Sequence, residues 1–195
     1  MTGRPDPVRV PPQTLAAVAT LARAHAPQCG TTAVIAIDGP AGSGKTTLAG
    51  ALAQTLDAQL VHMDDLYLGW SGLESSADRL REEILAPLWL GRSGVYRRYD
   101  WHAEALAESH EVTPGGTLVV EGVGCVRAGT RGFFSVIVWV EADDAMRLAR
   151  GLARDGSAAE GHWRDWMRQE RDVFARARTR ELAHLHVDAW GRIVP

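Results

Sequence analysis

The segment that decides the fold reads Ala33-Val34-Ile35-Ala36-Ile37-Asp38-Gly39-Pro40-Ala41-Gly42-Ser43-Gly44-Lys45-Thr46-Thr47-Leu48-Ala49. An apolar, strand-like run breaks into a glycine-rich turn, and a helical pattern follows. Gly39 to Thr46 fits G-x-x-x-x-G-K-[ST] at every fixed position. Glycines let the backbone curl closely around a polyphosphate, so that N–H groups and the following helix N-terminus face the anion. The segment therefore predicts a nucleoside triphosphate site.

Individual positions of this turn have expected roles. Lys45 is placed to reach the β- and γ-phosphates as a catalytic cation, and the Thr46 hydroxyl is placed to ligate Mg²⁺. ATP and Mg²⁺ are therefore the expected cofactors. The predicted nucleotide-binding residues of the turn are Gly39, Pro40, Ala41, Gly42, Ser43, Gly44, Lys45, Thr46 and Thr47.

The composition of the 195-residue chain is ordinary for a globular domain, with 46% hydrophobic and 23% charged residues. Its formal net charge of −3 offers no basic excess for nucleic-acid binding. Two cysteines are too few for a disulfide framework, and no apolar run approaches the roughly eighteen residues of a membrane span. We expect one cytoplasmic domain over residues 1–195, with a flexible Pro-rich start at 1–12.

Apolar runs alternate with helical patterns along the chain, which is typical of an α/β fold with a parallel sheet. We predict three α/β/α layers around a mostly parallel central sheet. Ligands of such sheets lie at the carboxyl ends of the strands. The predicted strands are Ala33–Asp38, Gln59–His62, Thr117–Glu121, Phe134–Val140 and Leu185–Asp188, with Val95–Trp101 extended. The predicted helices are Thr14–Ala26, Lys45–Leu56, Ala77–Leu90 with an interruption near Pro87, Asp143–Arg154 and His162–Leu182.

Two of the predicted strands end in acids that suit phosphoryl transfer. Asp64 and Asp65 follow the strand at 59–62, where a carboxylate can accept the proton of an attacking hydroxyl or hold Mg²⁺ through water. We favour Asp64 for this role over a helix or turn cap. Glu121 ends another strand and is expected to help hold Mg²⁺ beside Thr46 and to face the substrate.

Three arginines recur at helical spacing after the fourth strand. Arg147, Arg150 and Arg154 are spaced i, i+3, i+7 and so share one helical face. This face runs into the Gly/Ser segment Asp155–Gly161, which suits a moving lid, and phosphoryl transfer needs cations around the developing charge. We predict a lid at 154–161, with Arg150 and Arg154 acting in catalysis and Arg150 also binding the nucleotide.

Aromatic residues fall into two groups. Tyr99 and Trp101 lie two apart in an extended segment, so they can present one aromatic surface to a ligand or fill a core. The second group recurs at helical spacing near the C-terminus, which indicates a packing seam rather than a binding box. It comprises Trp163, Trp166, Met167 and Phe174.

Together these residues resemble the P-loop nucleoside kinases of the uridine kinase and phosphoribulokinase group. The resemblance implies a P-loop NTPase fold with a short lid, and ATP-dependent phosphoryl transfer. The Arg147/Arg150/Arg154-Asp155 run resembles the R-x-x-R-x-x-R-D lid of that group. Four further features match in order: the P-loop with Ile37-Asp38 before it; Asp64-Asp65-Leu66-Tyr67, similar to D-S-F-Y; Tyr99-Asp100-Trp101, similar to Y-D-F; and Val120-Glu121-Gly122.

The resemblance implies roles for single residues on the acceptor side. Asp64 would be the base toward a nucleoside 5′-hydroxyl, Tyr67 would lie beside it, and Tyr99 would lie against the nucleoside base. The lid arginines would grip the ATP phosphates or adenine. The chain lacks the H-P-x-A-F/D segment between Gly72 and Arg92, and R-G-R in the lid is reduced to Asp155-Gly156-Ser157. The nucleotide-handling residues are thus more complete than the nucleoside contacts.

The leading hypothesis is an ATP- and Mg²⁺-dependent kinase that phosphorylates a hydroxyl of a small molecule, most simply a nucleoside. One alternative is a nucleoside monophosphate kinase, because I-D-G-P-x-G-S-G-K also resembles cytidylate kinases. The other is an ATP-binding regulator without turnover. The expected partners are a nucleoside triphosphate and a small hydroxyl acceptor, without nucleic acid or membrane, and assembly into a homo-oligomer is open.

Overall fold

The computed structural model describes residues 10–195, which form a six-stranded sheet and a separate hairpin. The strands of the sheet are β1 Ala33–Asp38, β2 Gln59–His62, β5 Thr117–Glu121, β6 Val136–Val140, β7 Leu185–Val187 and β8 Ile193–Val194. Their order in the sheet is β2-β5-β1-β6-β7-β8, and all are parallel except β8. The antiparallel hairpin consists of β3 Gly94–Asp100 and β4 Ala105–Val112.

Helices cover both faces of the sheet. They are α1 Pro12–Ala24, α2 Lys45–Leu56, α3 Leu73–Arg79, α4 Ala86–Trp89, α5 Asp144–Asp155, α6 Glu160–Ala177 and α7 Thr179–Leu182. Alternate side chains of β1 divide the core: Ile35 and Ile37 pack with α1 and α2, whereas Val34 and Ala36 pack with the cluster formed by α3, α4 and α6. The predicted three-layer α/β/α fold is therefore confirmed.

Strand register brings the predicted site residues to one edge of the sheet. Ile37 of β1 pairs with Glu121 of β5, and His62 of β2 pairs with the same glutamate from the other side. The P-loop after β1, the acidic turn after β2 and Glu121 thus meet at the carboxyl ends of three adjacent strands. This is the edge at which open α/β sheets bind ligands.

Several boundaries differ from the predicted ones. The helical region before the hairpin begins at Leu73 and contains a wide π-helical turn, Leu80–Leu85, ahead of Pro87. The predicted C-terminal helix divides at Arg178, whose positive φ of 53° ends α6. The sequence did not predict β4, which completes the hairpin begun by the predicted extended segment.

The structure describes part of the predicted flexible start at 1–12 and the whole of the predicted lid at 154–161. Of the start at 1–12, residues 1–9 lie outside the described residues, Val10 is buried and Pro12 begins α1. In the predicted lid, α5 ends at Asp155 and a single 3-10 turn, Ser157–Ala159, leads into α6. Motion of this segment stays a prediction. None of the helices in residues 10–195 combines the length and apolarity of a membrane span.

Candidate active site

The turn between β1 and α2 has the backbone shape of an anion cradle. Gly39, Gly42 and Gly44 adopt positive φ values of 142°, 77° and 105°. A Cβ on Gly42 would stand 2.8 Å from the carbonyl oxygen of Arg147, so only glycine fits between the loop and α5. The glycines predicted to wrap a polyphosphate thus occupy the conformations that require them.

Polar groups inside this cradle are left for a ligand. The Ser43 hydroxyl is fully buried and makes no hydrogen bond within the described protein. Lys45 is buried, with its Nζ donating to the Pro40 carbonyl at 2.9 Å. A buried hydroxyl without a partner is costly, and a polyphosphate would supply acceptors for both groups. The turn therefore fits the predicted nucleoside triphosphate.

Asp38 clamps the cradle to the loop after β5, a role that the sequence did not predict. Its fully buried carboxylate accepts the N–H groups of Gly39 at 2.7 Å, Gly124 at 2.8 Å and Val126 at 2.9 Å. Burial raises the pKa of Asp38 to about 6, and the three N–H donors and Lys45 oppose that rise. The P-loop and the segment after Glu121 are thus held to a common anchor.

Glu121 connects the P-loop helix to β2. One of its oxygens, Oε1, accepts from Thr46 Oγ1 at 3.0 Å and lies 2.7 Å from His62 Nδ1. This hydrogen bond raises the pKa of His62. Mg²⁺ prefers oxygen ligands and is commonly held by one or two carboxylates together with substrate phosphates. Thr46 and Glu121 therefore form a donor set that fits the predicted ion.

The acidic turn after β2 exposes one aspartate to the same cleft. Asp64 and Asp65 lie in the 3-10 turn Met63–Asp65. Asp64 is exposed, and within residues 10–195 its carboxylate makes no hydrogen bond or ion pair. The protein atoms around the carboxyl group raise the pKa of Asp64 by partial desolvation, the Glu121 carboxylate raises it further, and Lys45 lowers it. Such a carboxylate is suited to accept a proton.

The three predicted lid arginines have three different environments. Arg147 is buried, and its Nη1 bonds the Ala41 carbonyl at 3.0 Å and Glu170 Oε1 at 2.5 Å. Arg150 Nη1 bonds the Gly42 carbonyl at 3.0 Å. Arg154 pairs with Asp155 and faces the cleft. The shared face is therefore directed at the P-loop, but Arg147 braces the loop and is not a mobile lid cation.

Glu170 completes this brace. Its Oε2 accepts the N–H of Ala41 at 2.8 Å, while its Oε1 pairs with Arg147. The N–H and the carbonyl of Ala41 are thus both hydrogen-bonded within the protein, although Ala41 was predicted to bind the nucleotide. Nothing in the sequence pattern pointed to Glu170, because its partners lie on two other segments that only folding brings close.

Two cavities meet at Lys45, Thr46 and Arg154. The first, of about 290 Å³, extends from the P-loop along Thr47 and Arg150 to the loop at 188–191. The second, of about 450 Å³, lies on the other side and contains Asp64 and Glu121. The arrangement suits a nucleotide in the first cavity and an acceptor in the second, with the transferring phosphoryl group between them.

The predicted aromatic contacts are only partly in the second cavity. Tyr67 lines it, but its hydroxyl donates to the Val123 carbonyl at 2.9 Å. Tyr99 does not line it; its ring packs edge-on against Trp101, 5.5 Å away, and its hydroxyl lies near Gly69. Trp101, just after the end of β3, lines the cavity instead.

Three more tryptophans line the second cavity: Trp70, Trp163 and Trp166. The last two belong to the stripe interpreted as a packing seam. They are buried as that interpretation requires, yet they also form the cavity wall. No helical pattern distinguishes a core ring from one that borders a cavity. Trp70 follows the acidic turn, and its position there was the signal that sequence reasoning missed.

Comparison with known proteins agrees with this architecture. The family model described as an AAA domain matches residues 35–173, which contain the P-loop, the acidic turn and most of α6. A cytidylate kinase from Serratia proteamaculans (strain 568) is 31% identical over 129 residues, which cover 65% of this chain and 56% of that relative. The chain thus spans little more than half of that relative's length.

Solved structures share the fold at low sequence identity. A structure titled a possible uridine kinase from Bacillus stearothermophilus has a TM-score of 0.66 at 19% identity, covering 90% of this chain and 98% of that one. D-glycerate 3-kinase from Cryptococcus neoformans var. grubii has a TM-score of 0.57 at 13% identity, covering 94% and 97%. With its P-loop and its mostly parallel α/β sheet, this chain belongs to the AAA domain family.

Proposed function

We propose that this protein transfers the γ-phosphoryl group of ATP to a hydroxyl of a small molecule that carries no phosphate or carboxylate beside the acceptor group. The observation that carries the proposal is the Asp64 carboxylate, which has no partner within residues 10–195 and lines the second cavity together with Lys45. We call this cavity the acceptor cavity. A base in this place is useful for a hydroxyl acceptor, which must lose a proton as it attacks.

The residues divide the reaction between them. Asp64 takes the proton of the acceptor hydroxyl. The acceptor oxygen forms a bond to the γ-phosphorus while the bond between that phosphorus and the ADP oxygen breaks. Lys45 and Arg154 place positive charge beside the transferring group. Thr46 and Glu121 would hold Mg²⁺, which supplies charge neutralisation at the phosphates when bound. Arg150 is expected to bind the nucleotide from the first cavity.

The charges of the second cavity favour a hydroxyl acceptor over a nucleoside monophosphate. Among the described residues that line it, the lysine and the arginine are Lys45 and Arg154, and this proposal assigns both to the transferring group. A second phosphate would find no further arginine there, although the similarity to a cytidylate kinase keeps this alternative worth testing. A regulator without turnover has no use for a free carboxylate at this place.

Transfer of labelled γ-phosphate from ATP tests the proposal. The acceptors are nucleosides, beginning with uridine, then other uncharged alcohols and amino alcohols, nucleoside monophosphates and hydroxy acids, each with and without Mg²⁺. We expect a Mg²⁺-dependent phosphate monoester from the uncharged or amine-bearing alcohols, and none from the Lys45→Ala control. Transfer to nucleoside monophosphates alone would replace the proposal, and tight ATP binding without any transfer would favour a regulator. Cytoplasmic location stays a prediction, and assembly into a homo-oligomer stays open.

A further inference from the structure

The hairpin β3–β4 stands outside the main sheet, yet it contacts the acidic turn directly. The indole Nε1 of Trp101, just after β3, donates to the backbone carbonyl of Asp64 at 3.0 Å. Earlier in the hairpin, Tyr96 lies close to the Asp65 carboxylate. The hairpin is therefore hydrogen-bonded to the backbone of Asp64 and lies near the side chain of Asp65.

The Trp101 contact is made with the backbone of Asp64 and not with its side chain. It fixes the peptide and leaves the carboxylate free for a ligand. Because the carbonyl carbon and Cβ are bonded to the same Cα, the hydrogen bond that holds the carbonyl also fixes the direction of the Cα–Cβ bond from which the carboxylate extends.

Arg79 strengthens the attachment of the hairpin to this turn. Its Nη1 donates to the Leu66 carbonyl at 2.8 Å, and its Nη2 donates to the Arg97 carbonyl on β3 at 3.0 Å. The arginine is itself held by both carboxylate oxygens of Glu83. The hairpin and the acidic turn are thus joined at two points, with Trp101 at the point nearest the cavity.

We infer that Trp101 is a positioning residue for Asp64, and that it couples occupancy of the acceptor cavity to the orientation of this base. The inference rests on the proposed function. The Trp101 ring lines the acceptor cavity, while its N–H donates to the backbone carbonyl of Asp64. An acceptor that packs against the ring restrains the indole, and the restrained indole keeps the Asp64 carbonyl in place.

The alternative is that Trp101 is only a wall of the cavity. Trp101→Phe separates the two roles, because it keeps an aromatic ring and removes the N–H. Loss of one neutral hydrogen bond to the base turn predicts a kcat lower by roughly three- to tenfold. The KM for the acceptor and the affinity for ATP are expected to stay within about twofold. If Trp101 is only a wall of the cavity, Trp101→Phe should leave kcat unchanged, and any effect should be on the KM for the acceptor.

A double-mutant cycle with Asp64→Asn shows whether Trp101 acts through Asp64. If it does, Trp101→Phe has no further effect on the transfer rate once the carboxylate is gone. The control is Trp89→Phe, because Trp89 is exposed and does not line the cavity. Thermal unfolding of the three variants checks that they fold alike.

The outcomes separate this inference from the proposed function. If wild type forms a phosphate ester and Trp101→Phe matches it in kcat, the positioning role is wrong and the kinase stands. Independent losses from Trp101→Phe and Asp64→Asn also overturn the coupling. If wild type transfers phosphate to no acceptor, the proposed function fails and this inference fails with it.

Discussion

Glu170 and Arg147 brace the P-loop, and this brace predicts a large loss of stability and ATP affinity for Glu170→Gln, which replaces one buried carboxylate oxygen by an amide nitrogen. Glu170 is 1% exposed and Arg147 is 2% exposed. The carboxylate joins Arg147 to the Ala41 N–H, so it links α5, α6 and the loop that is expected to hold ATP. Glutamine keeps one acceptor oxygen but removes the negative charge.

The magnitude follows from the partners that remain. Removing one member of a buried ion pair costs about 3–5 kcal/mol. Arg147 Nη2 retains Asp144 at 2.6 Å, and the amide can still accept one hydrogen bond, so the lower end applies. We expect a fall of about 3 kcal/mol in the free energy of unfolding. ATP affinity should fall about tenfold, because binding must then order a loosened loop.

Urea unfolding and direct titration with ATP measure the two effects. Asp165→Asn is the matched control, because it removes the charge of an exposed acid on the same helix, and its effect should stay within about 0.5 kcal/mol. The double variant Arg147→Met/Glu170→Met should recover part of the lost stability, because no buried charge is left alone. If the Glu170→Gln protein is as stable as the control and binds ATP with unchanged affinity, Glu170 does not hold the P-loop in place.

Two further predictions concern the cradle itself. Because burial raises the pKa of Asp38 to about 6, the folded state holds that proton more tightly than the unfolded state, and this group's contribution to stability rises as pH falls through 6. The unfolding free energy of wild type minus that of Asp38→Asn should therefore increase by about 1 kcal/mol from pH 7 to pH 5, and a constant difference contradicts the assignment. Gly42→Ala should lower stability by about 1–3 kcal/mol, because its φ is positive and its Cβ would meet Arg147. Gly50→Ala in the open middle of α2 should instead stabilise the protein by about 0.5–1 kcal/mol, and equal effects of the two changes contradict the cradle geometry.

The elements that could be predicted from the sequence are those whose signal is local. The strand β1, the P-loop and α2 follow one another within residues 33–56, and their apolar run, glycines and helical spacing each indicate one structure. The placement of Asp64 and Glu121 at this edge of the sheet could be predicted because Glu121 ends one strand and Asp64 lies two residues after another. Parallel pairing then places such residues together without knowledge of any tertiary contact.

The parts that the sequence did not predict depend on contacts between distant segments. Glu170 gains its role from Ala41, which lies 129 residues away. Trp163 and Trp166 were predicted to pack, and they do, but whether a packed ring borders a cavity depends on what lies opposite. Tyr99 lies in the predicted extended segment, but β3 ends at Asp100 and Trp101 lies in the turn after it, so only the Trp101 ring lines the second cavity.

The central claim is that Asp64 serves a hydroxyl acceptor of a P-loop kinase, and the most direct measurement is phosphate transfer by Asp64→Asn. The change keeps the size of the side chain and removes the base, whose usual contribution is about 10²–10⁴ in rate. With the best alcohol acceptor, kcat should fall at least about 100-fold while the affinity for Mg²⁺-ATP stays within about threefold. Transfer at the wild-type rate by Asp64→Asn would contradict the claim.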